Sequence, residues 1–307
     1  MSNAVEITDL VKNFGAHTVV NIKKLEIASG STVGILGPNG AGKSTTINMM
    51  MGLLKPTSGT ILYHGHGTFK KESLGLVPQD IALYPELNAI DNLRFFGSLY
   101  PSANNVKKRV HDMIKMIDLE GKAKSPVKKY SGGMKRRVNI GAALIHDPDI
   151  IFMDEPTVGI DPQSRNKIYE IINTLKEQHK TIVYTTHYME EVERLCDYVF
   201  IIDYGNVIEQ GTVKQLISKT KAGVLELCIE KADKNKVKNL IKKVTSAELF
   251  ACDDQIYSVL LLENPQKIIG ALMSLFEENG IQIANFTFHQ PNLETLFLLL
   301  TGKALRE

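Results

Sequence analysis

Long apolar runs are absent from this 307-residue chain. The best uninterrupted one, LFLLL at 296–300, falls far short of the ~18 residues a membrane-spanning helix needs. Cysteine is scarce too. Cys196, Cys228 and Cys252 are odd in number, widely spaced and without a CxxC pair, which excludes a disulfide frame and a zinc pattern and fits a reducing compartment. Nor is there an excess of one charge: 36 Lys+Arg stand against 34 Asp+Glu, for a net +2, which argues against nucleic-acid binding. The opening MSNAVEITDL has neither a basic start nor an apolar stretch, so no secretory signal is expected. What is there, 43% hydrophobic and 23% charged residues, is a globular composition with length for one large domain and a small one. The expectation is a soluble cytoplasmic chain whose link to a membrane runs through a partner.

Short apolar runs recur at 32–36 (TVGIL), 150–153 (IIFM), 181–185 (TIVYT) and 198–202 (YVFII). Continuous apolar runs of this length read as parallel strands buried on both faces. Helical patterns lie between them, as at 164–175 after a cap at Asp161 with Pro162 in the first turn. The alternation predicts a doubly wound α/β sheet, whose ligands sit at the carboxyl ends of the strands. Three polar clusters fall there: Lys43 and Ser44 after the first strand, Asp154 and Glu155 after the second, His187 after the third.

The alternation is interrupted at about 85–145 by a helical insertion, with helices read at 89–100 and 105–117. It changes again after about 220. Strands at 224–230, 247–252, 255–262 and 281–289, with helices at 234–243 and 265–278, give β-α-β-β-α-β, the ferredoxin-like order. A last helix is read at 293–300. Its apolar residues Leu293, Leu296, Phe297, Leu298, Leu299 and Leu300 are more than one helix face requires, leaving packing within the module and a subunit contact both open.

Residues 37–44, GPNGAGKS, fit GxxxxGK[ST], the P-loop. Glycines let backbone N–H groups turn inward around phosphate oxygens, and the following helix adds its positive end. Lys43 is placed to reach the β- and γ-phosphates and Ser44 to ligate Mg²⁺. The strand 150–153 ends in Asp154, the acid that helps hold Mg²⁺ in such sites, and in Glu155, placed as general base on the attacking water. Upstream, YSGGMK at 130–135 offers Ser131 as a helix N-cap and two glycines with bare N–H groups, a second anion-binding helix terminus.

The stretch 130–137, YSGGMKRR, resembles the signature motif of ABC ATPases, in the form found in ATPases of ABC-2-type exporters. The resemblance covers residues 4 to 220. It implies the ABC-ATPase form of the P-loop NTPase fold in a domain at 1–220, with an accessory or regulatory α+β domain at 221–307. It implies ATP and Mg²⁺ as cofactors. Nucleotide binding then falls to Gly37, Pro38, Asn39, Gly40, Ala41, Gly42, Lys43, Ser44 and Thr45. Phe14, in KNFG, matches the aromatic residue that stacks on adenine. Gln79, in LVPQD, matches the Q-loop glutamine that serves Mg²⁺ and water positioning. Gly159-Ile160-Asp161 resembles the D-loop, and His187, in TTHYMEE, the switch histidine that contacts the γ-phosphate. Catalysis is thus assigned to Glu155, His187, Lys43 and Gln79, metal binding to Ser44, Gln79 and Asp154, and signature contacts to Ser131, Gly132 and Gly133. One departure stands out: most of the family has glutamine where this chain has Met134. The Lys and Arg residues at 122, 124, 128, 129, 135, 136 and 137 read as a solvated basic face that also helps attract ATP, with contact to anionic lipid or the partner as the alternative.

In the family two such domains pair head to tail, each ATP held between the P-loop of one and the signature helix of the other. The resemblance therefore implies a second copy or paralogue, and an ABC-2-type integral-membrane permease that the ATPase joins on the inner face of the membrane. The cargo implied is a drug, antibiotic, lipid-like molecule or ion, and no nucleic acid. An importer ATPase is the nearer alternative. A soluble ABC ATPase acting on ribosomes or DNA is more distant, since the chain has one cassette and no long coiled coil.

Overall fold

The computed structural model describes residues 2–100, 105–229, 232–253 and 255–301. It divides into two compact units, Met1–Gln210 and Gly211–Glu307. The division falls before the boundary expected near residue 220. The reason is local: the short helix at 213–218 packs on the last helix of the chain and so belongs with the second unit.

The first unit holds two sheets. Strands β1 (Asn3–Phe14), β2 (His17–Ala28) and, after β3 (Thr32–Leu36) and helix α1 (Lys43–Met50), β4 (Ser58–Tyr63) make an antiparallel sheet in the order β2-β1-β4. The sequence reading had no counterpart for it. The second sheet adds β5 (Leu74–Val77), β6 (Ile150–Asp154), β7 (Thr181–Thr186), β8 (Tyr198–Asp203) and β9 (Asn206–Thr212), in the order β5-β6-β7-β3-β8-β9. Its strands from β5 to β8 pair in parallel. Every residue of β3, β6 and β7 is buried, as continuous apolar runs in a doubly covered sheet require. Between β5 and β6 the chain makes the expected helical insertion: α2 (Ala89–Ser98), α3 (Val106–Met116) and α4 (Gly132–Leu144). Helix α5 (Pro162–Glu177) and helix α6 (Met189–Leu195) follow β6 and β7.

The second unit contains α7 (Val213–Ser218), β10 (Gly223–Ile229), α8 (Lys234–Lys243), β11 (Ala247–Asp253), β12 (Ile256–Leu261), α9 (Pro265–Glu278), β13 (Ile283–His289) and α10 (Leu293–Thr301). From β10 to β13 the elements run β-α-β-β-α-β, in an antiparallel sheet of order β11-β12-β10-β13. Helices α8 and α9 cover one face, closing a core of Leu225, Leu227, Val237, Tyr257, Leu272 and Phe276. Of the apolar cluster on α10, Leu293, Leu296 and Phe297 are buried and Leu300 is exposed. The expected strand end at Glu230 and the side chain of Leu298 lie outside the described residues. Among the described residues no helix is long and apolar enough to cross a membrane.

Candidate active site

Sheet register brings the three polar clusters to one edge. Leu36 pairs with Thr186 across β3 and β7, and Asp154 with Thr185 across β6 and β7. The residues that follow, Gly37, Glu155 and His187, therefore leave the sheet side by side. At Gly37 a side chain would run into the Ile202 carbonyl of β8, so only glycine lets the loop start here. Gly42 takes φ +98° ahead of α1, and no side chain caps that helix. Its first-turn N–H groups face a cavity of about 220 Å³ lined by Val19, Asn39, Gly40, Gly42, Lys43, Ser44, Thr45, Gln79 and Glu155. Pro38 and Ala41 complete the turn, the Ala41 N–H donating to the Pro38 carbonyl at 3.1 Å.

Lys43 is 4% exposed and arrives at this cavity fully partnered. Its Nζ donates to the carbonyls of Gly37 at 2.8 Å and Pro38 at 3.1 Å, and stands 3.0 Å from Glu155 Oε1. The other oxygen of Glu155 is 3.4 Å from His187 Nδ1, which makes no hydrogen bond. Lysine, glutamate and histidine thus form one contiguous cluster at the strand ends. Glu155 also sits at φ +44°, in the left-handed region that non-glycine residues avoid at a cost of about 1–2 kcal/mol. Asp154, one residue earlier, is buried, and its Oδ1 accepts from Thr185 Oγ1 at 2.6 Å. The same hydroxyl accepts the Glu155 N–H at 3.0 Å. Sequence reasoning missed Thr185. Its signal was a threonine opposite the acidic pair in the register.

The structure leaves the other predicted residues apart from this cavity. Phe14 ends β1 with a 51%-exposed ring, the Lys12 ammonium 5.0 Å from its centroid. Ser131 caps α4, accepting from Met134 N–H at 3.2 Å, with Gly132 exposed beside it. Gly133 packs so closely on α5 that a side chain there would meet Ser164. Asp161 caps α5 with Oδ1 accepting from Ser164 N–H at 2.9 Å, a bond that lowers its carboxyl pKa, and Gly159 turns with φ +71° ahead of it.

The solvated basic face needs correction. Lys122, Lys124, Lys128 and Lys129 are exposed, but Arg136 and Arg137 are buried. Carbonyl oxygens make that burial tolerable. Arg136 donates to Pro78 O at 2.8 Å and Gln79 O at 2.5 Å, tying the Gln79 loop to α4, while Arg137 donates to Ile117 O at 2.6 Å.

Comparison with known proteins identifies the family. The family model "ABC transporter" matches residues 20–158. The linearmycin resistance ATP-binding protein LnrL of Bacillus subtilis is 40% identical, over 99% of this chain and 100% of its own length. The chain belongs to the ABC transporter family. A Nod factor export ATP-binding protein I of Ralstonia nicotianae is 36% identical over 99% of this chain and 95% of its own. The daunorubicin/doxorubicin resistance ATP-binding protein DrrA of Streptomyces peucetius is 32% identical over 98% and 93%. Among solved structures, cbiO1 from Clostridium perfringens, part of the ABC transporter complex cbiONQ, superposes with a TM-score of 0.64 at 29% identity. It covers 72% of this chain and 95% of its own. A dimeric ATP-binding cassette bound to ADP and Pi gives 0.61 at 28%, over 68% and 98%. This ABC protein is therefore an ATPase subunit of the exporter-type transporters.

Proposed function

We propose that two copies of this cassette, or one copy and a paralogue, close on two ATP molecules and that closure drives export through a separate ABC-2-type membrane subunit. The convergence of Lys43, Glu155 and His187 beside the bare N-terminus of α1 carries the reading. The P-loop N–H groups and Lys43 bind the phosphates, Glu155 takes the proton of the attacking water, and His187 and Lys43 hold charge on the γ-phosphoryl group. Gln79 orients water at the cavity wall, and Phe14, exposed at the hairpin end, offers its ring to adenine.

The donors fit Mg²⁺: the Ser44 hydroxyl, the Gln79 amide oxygen and the Asp154 carboxylate are hard oxygen ligands. Bound there, the ion would neutralise developing phosphate charge. Ser131, Gly132 and Gly133 lie outside the cavity, at the N-terminus of α4, and that helix end serves the partner's nucleotide, with Asp161 at the same seam. Met134 lacks the amide that glutamine would present, and phosphate binding there rests on Ser131 and the backbone. The relatives named for linearmycin and daunorubicin resistance and for Nod factor export favour a drug-like or lipid-like cargo.

A composite site makes catalysis depend on encounter. At saturating Mg·ATP, specific activity should rise with protein concentration until the dimer is saturated. Constant specific activity from a species that light scattering shows to be monomeric would refute the sandwich.

The second unit contributes no residue to this assignment, and we assign it an accessory role. A chain ending at Thr212, which keeps β9 whole, should fold, bind ATP and hydrolyse it, with altered rate or weaker dimerisation. A well-folded truncated chain, by circular dichroism, that cannot bind ATP would make the second unit part of the site.

A further inference from the structure

A carboxylate unused by that mechanism lies beneath His187. Glu191, on α6, is 1% exposed. Four hydroxyls surround it. Its Oε1 accepts from Thr157 Oγ1 at 2.6 Å and Tyr169 OH at 2.9 Å, and its Oε2 from Thr186 Oγ1 at 2.8 Å and Tyr184 OH at 2.9 Å. Arg165 Nε, 3.9 Å from Oε1, lies beyond hydrogen-bond reach. Burial and the nearby carboxylate raise the tyrosine pKa values, so both phenols remain protonated donors. Packed apolar side chains of similar volume are often as stabilising as a buried charge network, so stability alone does not explain this one.

Its attachment points do. Thr186 immediately precedes His187, and its Oγ1 also accepts the Tyr188 N–H at 2.9 Å, which fixes the backbone on both sides of the histidine. Thr157 lies two residues beyond Glu155. His187 Nδ1 has no hydrogen bond of its own and the ring rests on Tyr188, centroids 4.2 Å apart, so the backbone from Thr186 to Tyr188 sets its distance from Glu155.

We propose that Glu191 is a positioning residue for ATP hydrolysis: through Thr186 and Thr157 it holds His187 and Glu155 in register across the γ-phosphate position. The proposal rests on the roles given above to those two residues. A misplacement of about 1 Å in a reacting group can cost on the order of 10²-fold in rate. Nucleotide affinity, set by the P-loop on another strand, should not follow.

The test is a comparison of kcat and KM for ATP in the full chain. Thr186→Val, which keeps the shape and removes the hydroxyl, should lower kcat on the order of 10²-fold with KM within about twofold. Thr186→Ser should restore kcat. Tyr169→Phe removes a hydroxyl from the same carboxylate on its helix side, and should lower thermal stability while kcat changes less than about twofold. Should Thr186→Val not fold, Glu191→Gln carries the same kcat-against-KM comparison. Unchanged kcat in a folded Thr186→Val or Glu191→Gln protein, or equal losses in Thr186→Val and Tyr169→Phe, would overturn the proposal. Full turnover in His187→Ala would instead bring down the catalytic assignment itself, a failure the same assays separate.

Discussion

Glu155→Gln should bind ATP and lose turnover by about 10²- to 10⁴-fold, the usual contribution of a positioned general base. The substitution preserves shape, and its amide oxygen can still accept from Lys43, whose other partners are the Gly37 and Pro38 carbonyls. What it removes is the acceptor for the water's proton. It also removes a negative charge, 6% exposed, from the wall of a cavity meant for phosphates, so ATP affinity should hold or increase. Without hydrolysis the closed pair has no route to open, and the protein should elute as a dimer with Mg·ATP and as a monomer without it. Size-exclusion chromatography and steady-state kinetics on one preparation decide the matter. A monomer under both conditions with turnover intact contradicts both the base and the sandwich.

Lys43→Ala should abolish productive ATP binding through two effects of the same sign. The phosphates lose their cation, and Glu155 is left as an unpaired buried anion facing them. Removing one member of a buried ion pair costs about 3–5 kcal/mol, equivalent to roughly 10²- to 10³-fold or more in an equilibrium. Titration with a fluorescent nucleotide should show the loss, and chemical denaturation of the ligand-free protein should show lower stability. Adding Glu155→Gln to Lys43→Ala should return much of that stability while leaving the protein inactive. Near-normal hydrolysis by Lys43→Ala would sink the P-loop assignment.

The convergence of the candidate site was legible in the sequence because neighbouring parallel strands present their carboxyl ends on one edge of the sheet. Leu36, Asp154 and Thr186 each close an apolar run, and the observed register aligns them. Other features depend on partners distant in the chain. Arg136 and Arg137 look like surface cations within a basic run, and only the fold brings the carbonyls of Pro78, Gln79 and Ile117 to them. In MEEVERL, at 189–195, three glutamates read alike; Glu191 turns inward because Tyr169 and Tyr184, on α5 and β7, supply hydroxyls there. The antiparallel sheet escaped notice for a different reason. In β1 Asp9 takes φ +48° and the pairing with β4 shifts between Thr8 and Val11, so Thr8 and Asp9 are both exposed and the two-residue alternation that marks a half-buried strand breaks mid-strand.

The second unit has a pharmacological consequence. The cavity proposed for nucleotide is lined mostly by residues of the family motifs, among them Lys43, Ser44, Gln79 and Glu155, so a compound lodged there has little with which to discriminate. The cassettes of cbiO1 and of the ADP-bound dimer cover 72% and 68% of this chain, whereas LnrL aligns with 99% of it. A nanobody raised against the β10–β13 sheet, where Ile256 and Phe286 stand 49% and 52% exposed, would address a surface those shorter cassettes have no room to copy. Selectivity among ATPases of one chemistry would then come from a part of the molecule outside the proposed site.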